Sequence, residues 1–177
     1  MAPRTFLLQM AGWMGSGKST LAKVISERTG AAILDHDTTK SALLIAGIPH
    51  PPAGGASYEV LFALAGDLLA QDLPVIIDSP SAYVEIPERG LRLAADARVP
   101  YFFIECECDE RLGAARVTAR RSRPSQIATA DAAAELRAAP DRDLHRPERG
   151  VLMVDTGRAL DECIRDVVAY LDGPGAS

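Results

Sequence analysis

Gly12-Trp13-Met14-Gly15-Ser16-Gly17-Lys18-Ser19 follows the spacing G-x-x-x-x-G-K-[ST] at every specified position. Loops with this spacing bind the phosphates of a nucleoside triphosphate: the glycines let backbone N–H groups turn inward, the lysine reaches the β- and γ-phosphates, and the last hydroxyl ligates Mg²⁺. ATP and Mg²⁺ are therefore the predicted cofactors, with Ser19 as a metal ligand. The predicted nucleotide-binding residues are Gly12, Gly15, Ser16, Gly17, Lys18, Ser19 and Thr20.

The residues on either side of this loop have the patterns that a phosphate-binding loop requires. Residues 5–11 are a mostly apolar run of strand length, and residues 19–29 have a helical pattern with Leu21, Val24 and Ile25 on one face. The sequence thus predicts a strand, a loop and a helix in that order. The helix N-terminus would add a partial positive charge at the loop, which favours bound phosphate.

Length and charge limit the class of protein. A chain of 177 residues fits one domain, predicted to span residues 1–177. The net charge of −5 gives no overall attraction to nucleic acid or acidic membranes, so we expect neither as a partner. Three cysteines form neither a disulfide framework nor a metal-ligand pattern, and no apolar run is long enough to cross a bilayer. We therefore expect a cytoplasmic protein, and nothing in the sequence predicts its oligomeric state.

Further apolar runs alternate with helical patterns along the chain. Strands are predicted at residues 31–34, 74–77, 101–104 and 151–154, and helices at 38–46, 57–71, 85–98, 110–121, 130–138 and 160–171. Residues 47–56 contain three prolines and three glycines and are predicted to form a loop. With the first strand, this alternation predicts an α/β fold of three layers, in which helices cover both faces of a five-stranded parallel sheet.

Acidic residues follow several of these strands. Because the ligand crevice of an open α/β sheet lies outside the carboxyl ends of its strands, we expect Asp35, Asp37 and Asp78 near the phosphate loop. Asp37 is the preferred candidate for the catalytic base, Asp35 is its competitor and a possible substrate contact, and Asp37 could alternatively cap the following helix. Asp78, at the end of Val-Ile-Ile-Asp, is the preferred second magnesium residue, although Glu105 and Asp155 also end strands.

Arginines are dense near the fifth predicted helix. Arg116 and Arg120 are four residues apart, so they share a helix face, and Arg121 and Arg123 follow. Arginines that close over the phosphates stabilise the charge of a phosphoryl-transfer transition state, so we predict a lid at about residues 116–140 with Arg116 and Arg120 as catalytic residues. A solvated helix face paired with nearby acids is the alternative.

Taken together, these motifs resemble the small P-loop kinases of the AAA-domain predicted-kinase group, which is similar to polynucleotide kinases, zeta toxins and chloramphenicol phosphotransferase. The resemblance rests on Gly12 to Thr20, on D-x-D-x-x-[RK] from Asp35 to Lys40, on Val75 to Asp78, and on R-x-x-x-R from Arg116. It implies a 2-3-1-4-5 strand order, a base at Asp37 and lid arginines at Arg116 and Arg120. Lys40 stands where polynucleotide kinases carry arginine and lacks the planar fork that binds phosphate through two hydrogen bonds.

The sequence accordingly predicts an ATP-dependent kinase that phosphorylates a hydroxyl group of a small molecule such as a sugar, nucleoside or antibiotic, with Asp35 and Lys40 as tentative substrate contacts. Two alternatives remain open at this point: a kinase of nucleic-acid 5′-hydroxyl ends, and a regulatory ATPase or nucleotide switch. A guanine-specific switch is disfavoured because the chain contains no asparagine and so lacks the asparagine-lysine-x-aspartate signature.

Overall fold

A computed structural model of the chain describes residues 5–119, 124–126 and 143–173. The helix predicted at 130–138 and the arginines Arg120, Arg121 and Arg123 lie outside the described residues. Within them, the strands are β1 (Leu7–Ala11), β2 (Ala32–Asp35), β3 (Val75–Asp78), β4 (Tyr101–Glu107) and β5 (Val151–Asp155).

The strands form one parallel sheet in the order β2-β3-β1-β4-β5. The predicted strand number, direction and order are confirmed. In the register, Asp35 of β2 lies opposite Asp78 of β3, and Asp78 lies opposite Met10 of β1. The carboxyl ends of these three strands therefore meet at one edge, next to the start of the phosphate loop.

Helices cover both faces of the sheet, as predicted. The described helices are α1 (Lys18–Thr29), α2 (His36–Ile45), α3 (Pro52–Leu69), α4 (Glu85–Ala97), α5 (Glu110–Ala119) and α6 (Leu160–Leu171). Buried residues of α1 and α6 share one apolar cluster with one face of the sheet, and buried residues of α3 and α4 share a second cluster with the other face. None of the described helices is both long and apolar enough to cross a bilayer.

Several predicted element boundaries differ from the structure. Helix α3 begins at Pro52 rather than near residue 57, because proline is tolerated in the first helical turn, where an N–H group has no intrahelical partner. The predicted loop at 47–56 is thus shorter. Helix α2 begins at His36 rather than at residue 38, and β4 extends to Glu107 because its pairing with β5 continues to that residue.

Some apolar residues at helical spacing on α3 and α6 lie at the exposed edge of the buried face. Val60 and Leu64 of α3, and Leu160 and Val168 of α6, are each between 39% and 45% exposed. The buried faces instead include aromatic and small residues that complete the helical period. These are Tyr58, Phe62 and Ala65 on α3, and Cys163 on α6.

Candidate active site

The loop between β1 and α1 has a conformation that its glycines make possible. Gly15 and Gly17 have φ angles of 80° and 86°, in the left-handed region where a side chain is strained. A Cβ atom on Gly15 would also collide with the backbone of Gly113, and one on Gly17 would lie 3.0 Å from the Thr156 hydroxyl. The close approach of α5 and of the segment after β5 therefore requires glycine at both positions.

Lys18 and the start of α1 face the mouth of the loop. Helix α1 begins at Lys18, directly after Gly17, so its first N–H groups point toward the loop. Lys18 Nζ donates a hydrogen bond of 3.3 Å to the Trp13 carbonyl, which places the ammonium group across the loop opening. This arrangement can bind an anion through a charged side chain and a helix N-terminus together.

Thr156 and Arg116 are hydrogen-bonded to carbonyl groups of the loop. The Thr156 hydroxyl donates to the Ser16 carbonyl at 2.7 Å and accepts from Arg116 Nη1 at 2.9 Å. Arg116 also donates to the Gly15 carbonyl at 3.3 Å and to the Thr156 carbonyl at 2.9 Å. The sequence analysis missed Thr156; its only signal was the Asp-Thr-Gly that follows β5. Because these contacts engage the Arg116 guanidinium with the protein itself, its transition-state role stays a prediction.

Asp78 lies beside Ser19 at the edge of the sheet. The Asp78 residue is only 5% exposed, and burial raises the pKa of its carboxyl group, while Lys18 and a hydrogen bond with Ser19 oppose that rise. A buried carboxylate next to a serine hydroxyl supplies the hard oxygen atoms that Mg²⁺ prefers. The pair fits the predicted magnesium site, because a cation there would relieve the cost of the buried charge.

Glu105 and Asp155, the alternatives to Asp78 for the magnesium site, have partners within the protein. The Glu105 carboxylate forms an ion pair of 3.0 Å with Arg146. Asp155 Oδ1 accepts the N–H of Gly157 at 2.8 Å, within its own turn. Both contacts are consistent with structural roles, and the preference for Asp78 stands.

Asp35, and not Asp37, caps helix α2. Asp35 Oδ1 accepts the N–H groups of Asp37 at 2.8 Å and Thr38 at 3.1 Å, and its Oδ2 accepts the Thr38 hydroxyl at 2.9 Å. This is the hydrogen-bonding pattern of an N-cap. Asp37 is in the first turn of the helix, so its carboxylate is available to face the cleft. Which acid contacts the acceptor remains a prediction, and the cap favours Asp37.

The Asp37 carboxylate is held by residues from a distant part of the chain. Gln126 Nε2 donates to Asp37 Oδ2 at 2.8 Å, and the Ser125 hydroxyl donates to the Asp37 carbonyl at 2.8 Å. Burial alone would raise the pKa of Asp37, but interactions with His36, Gln126 and Lys18 outweigh it and lower the pKa to about 2. Asp37 is therefore ionised throughout the physiological pH range. Nothing in the sequence pattern pointed to Ser125 or Gln126.

One open cleft of about 1070 Å³ brings most of the predicted site residues together. Gly12 and Ser16 do not line it and instead support the loop, and Arg120 lies outside the described residues. The predicted residues that line the cleft are Gly15, Gly17, Lys18, Ser19, Thr20, Asp35, Asp37, Lys40, Asp78 and Arg116.

Comparison with known protein families places the chain in one of them. A family model described as "AAA domain" matches residues 7–140, from β1 through the loop and the carboxylates to the region after α5. The chain belongs to this AAA-domain family. A comparison with curated proteins finds no match.

Solved structures share the fold over almost the whole chain. A protein of Chloroflexus aurantiacus described as a candidate kinase has a TM-score of 0.73 at 20% identity, covering 98% of this chain and 99% of its own. An APS kinase of Mycobacterium tuberculosis, in complex with AMPPNP and APS, has a TM-score of 0.70 at 21% identity, with coverages of 97% and 99%. A gluconokinase of Sinorhizobium meliloti has a TM-score of 0.61 at 22% identity, with coverages of 97% and 93%. The fold is that of the P-loop kinases.

Proposed function

We propose that this protein is an ATP- and Mg²⁺-dependent kinase that transfers the γ-phosphoryl group to a hydroxyl group of a small molecule. The observation that carries the proposal is that Lys18, Ser19 with Asp78, and Asp37 all line one cleft. Lys18 is a cation that can bind phosphate, and Ser19 with Asp78 offers oxygen atoms suited to magnesium. Asp37 is an ionised carboxylate that can accept a hydrogen bond from the acceptor hydroxyl. Phosphoryl transfer needs each of these functions. The kinase folds of the structural relatives support the same reaction class.

The donor half of the reaction is assigned to the loop between β1 and α1. The loop N–H groups and Lys18 would bind the β- and γ-phosphates, and Ser19 and Asp78 would hold Mg²⁺, directly or through water. When bound, the ion would neutralise charge on the phosphates. Arg116 and Arg120 remain the predicted lid arginines.

The acceptor half is assigned to the side of the cleft around Asp37. Its carboxylate would accept a hydrogen bond from the acceptor hydroxyl and so align that oxygen with the γ-phosphorus. A carboxyl group with a pKa of about 2 is a weak base. Asp37 would therefore act chiefly by orienting the hydroxyl group and would take up its proton late in the transfer. In a loose phosphoryl-transfer transition state, little base strength is required.

A screen for acceptor-stimulated ADP release tests the proposal, using sugars, nucleosides, hydroxylated antibiotics and oligonucleotides with 5′-hydroxyl ends. Lys18→Ala should abolish phosphorylation, because the phosphate-binding cation is lost. Asp37→Asn should lower transfer by at least about 100-fold while ATP affinity changes only a few fold. Asp67→Asn, an exposed aspartate on α3 outside the cleft, is the matched control and should keep full activity.

Each outcome separates the alternatives. Full turnover by Asp37→Asn would contradict the role of Asp37. Stimulation by oligonucleotide ends alone would favour the nucleic-acid kinase, and ATP hydrolysis that no acceptor changes would favour a regulatory ATPase.

A further inference from the structure

A group of aromatic and polar residues lies beside Asp37, on the side of the cleft formed by β2 and β3. His36 is the first residue of α2, Tyr58 is on α3, Ser79 follows Asp78, and Tyr83 lies just before α4. All four line the same cleft as the phosphate loop. We refer to His36, Tyr58, Ser79 and Tyr83 as the aromatic subsite. It is adjacent to the position assigned to the acceptor hydroxyl, so its chemistry bears on what the acceptor is.

The aromatic subsite contains buried polar atoms that lack hydrogen-bond partners among the described residues. His36 is 7% exposed and Ser79 is 2% exposed, and among the described residues neither ring nitrogen of His36 nor the Ser79 hydroxyl is hydrogen-bonded. His36 Nδ1 lies 3.9 Å from Asp37 Oδ1, which is beyond hydrogen-bonding distance. Burial raises the pKa of the Tyr58 phenol, and its interaction with Ser79 opposes this rise.

Such atoms favour a ligand that supplies hydrogen bonds. A buried polar group without a partner costs about 1–3 kcal/mol, and a ligand that pairs it recovers that cost. Hydroxyl groups suit both positions, because each can donate or accept a hydrogen bond. One hydroxyl can donate to the unprotonated imidazole nitrogen of His36, and a second can accept from the other ring N–H or from Ser79. The subsite therefore selects a compound with more than one hydroxyl group near the one that is phosphorylated.

The tyrosines and the imidazole form an aromatic wall. The His36 and Tyr58 rings stack with centroids 4.2 Å apart, and Tyr83 meets Tyr58 edge to face at 6.3 Å. Tyr83 is 51% exposed although it lines the cleft. An aromatic face left open inside a cleft can pack against the flat or C–H-bearing face of a ring. This feature favours a cyclic acceptor over a linear one.

The charges at this end of the cleft disfavour an anion. Among the described residues that line the cleft, the acids are Asp35, Asp37 and Asp78, and the lysines and arginines are Lys18, Lys40, Arg116 and Arg158. Lys18 is assigned to the phosphates of ATP, Arg116 is hydrogen-bonded to Thr156, and Arg158 is paired with Asp166. With Asp78 assigned to the metal ion, Asp35 and Asp37 outnumber Lys40, so an acceptor carrying carboxylate, sulfate or phosphate would be repelled here.

We propose that the acceptor is a cyclic, polyhydroxylated compound without net negative charge, such as a sugar, an amino sugar or a nucleoside, bound by the aromatic subsite. This inference rests on the proposed function, since an acceptor exists only if the protein is a kinase. One ring hydroxyl points to Asp37 and receives the phosphoryl group, while neighbouring hydroxyls hydrogen-bond to His36 and Ser79. The ring face packs on Tyr83.

The test compares acceptors that share a ring and differ in charge: D-glucose, D-glucosamine and D-glucose 6-phosphate, and adenosine with adenosine 5′-monophosphate. We expect kcat/KM for the neutral or cationic member of each series to exceed that of the anion by at least about 10-fold, because repulsion of about 1.4 kcal/mol has that effect. An anionic acceptor preferred by the same factor would overturn the proposal.

Two substitutions test the subsite directly with the best acceptor. Tyr83→Ala should raise the acceptor KM by about 10-fold and leave the ATP KM within about 2-fold. Val84→Ala is the matched control, because Val84 is 50% exposed next to Tyr83 but does not line the cleft. His36→Phe, which keeps a ring against Tyr58, should raise the acceptor KM by a similar factor, and His36→Gln should restore part of the loss.

The outcomes distinguish failure of this inference from failure of the proposed function. If a neutral ring compound is phosphorylated but Tyr83→Ala and His36→Phe leave its KM unchanged, the subsite assignment is wrong and the kinase assignment stands. If no compound in the panel is phosphorylated while ATP still stabilises the protein against heat, both proposals fail.

Discussion

Replacing Thr156 by valine isolates the contribution of one hydroxyl group to the phosphate loop. Valine has nearly the same shape, so no cavity is created, but the hydroxyl contacts are lost. The one hydroxyl proton is shared between the Ser16 carbonyl at 2.7 Å and the Glu107 carbonyl at 3.2 Å, and the oxygen accepts from Arg116 at 2.9 Å. A neutral hydrogen bond contributes about 1 kcal/mol, and a bond from a charged donor about 1.5–3 kcal/mol. Arg116 keeps its bonds to the Gly15 and Thr156 carbonyls, which limits the second loss to the lower end of its range.

We therefore expect Thr156→Val to lower the free energy of unfolding by about 2 kcal/mol. For a chain of this length, that corresponds to a fall in Tm of about 4–8 °C. ATP binding should weaken as well, because the Ser16 carbonyl belongs to the loop whose N–H groups are proposed to bind the phosphates.

Thermal unfolding followed by circular dichroism, with and without ATP, measures both effects. Thr118→Val is the matched control: Thr118 is exposed, and its hydroxyl donates to the Ala114 carbonyl one turn earlier in α5. Exposed substitutions of this kind change stability by about 0.5 kcal/mol or less. A difference of about 2 kcal/mol would separate the Tm values of the two variants by several degrees. If Thr156→Val melts within about 1 °C of Thr118→Val, the Thr156 hydroxyl does not stabilise the loop.

Two further predictions concern the loop and the acceptor side. Gly15→Ala should abolish ATP-induced stabilisation, because φ is 80° there and the added Cβ would collide with Gly113. Gly55→Ala, where a Cβ meets nothing within 4 Å and which does not line the cleft, should retain it. The pKa of Asp37 falls from 3.8 to about 2 on folding, so its ionised form stabilises the protein above about pH 4, and this contribution is lost as the pH falls toward 2. After a discount for its 38% exposed side chain, Asp37→Asn should cost about 1 kcal/mol at pH 7 and less at pH 3, and urea unfolding at the two pH values measures the difference. A cost that is the same at both pH values would contradict the predicted ionisation.

The parts of the fold that were predicted correctly depend on local patterns. Apolar runs such as Val75 to Asp78, and the glycines and lysine of the phosphate loop, act within a few residues of one another, so the printed sequence contains their signal. The strand order could be given only through the resemblance to a family, because parallel pairing joins segments that are far apart in the chain.

What could not be predicted depends on contacts over long sequence distances or on small shifts of a boundary. Thr156 and Ser16 are 140 residues apart, and Gln126 and Asp37 are 89 apart. No local pattern encodes such pairs. Helix α2 begins at His36, two residues before the predicted position, and this shift transfers the capping role from Asp37 to Asp35. Propensity alone cannot fix a helix start to that accuracy.

The difference in burial between β1 and β2 has a consequence for how this site could change over evolution. All five residues of β1 are buried, and the strand is paired on both sides, so its amides would exchange hydrogen with solvent only when the whole fold opens. Strand β2 is an edge strand whose residues are half-buried, and it leads into the helix that carries Asp37. The loop assigned to the phosphates therefore follows a strand that is buried along its whole length. Substitutions in β2 and at the exposed Tyr83 disturb fewer core contacts than substitutions in β1, so the proposed acceptor side can change at these positions with little effect on the loop that follows β1.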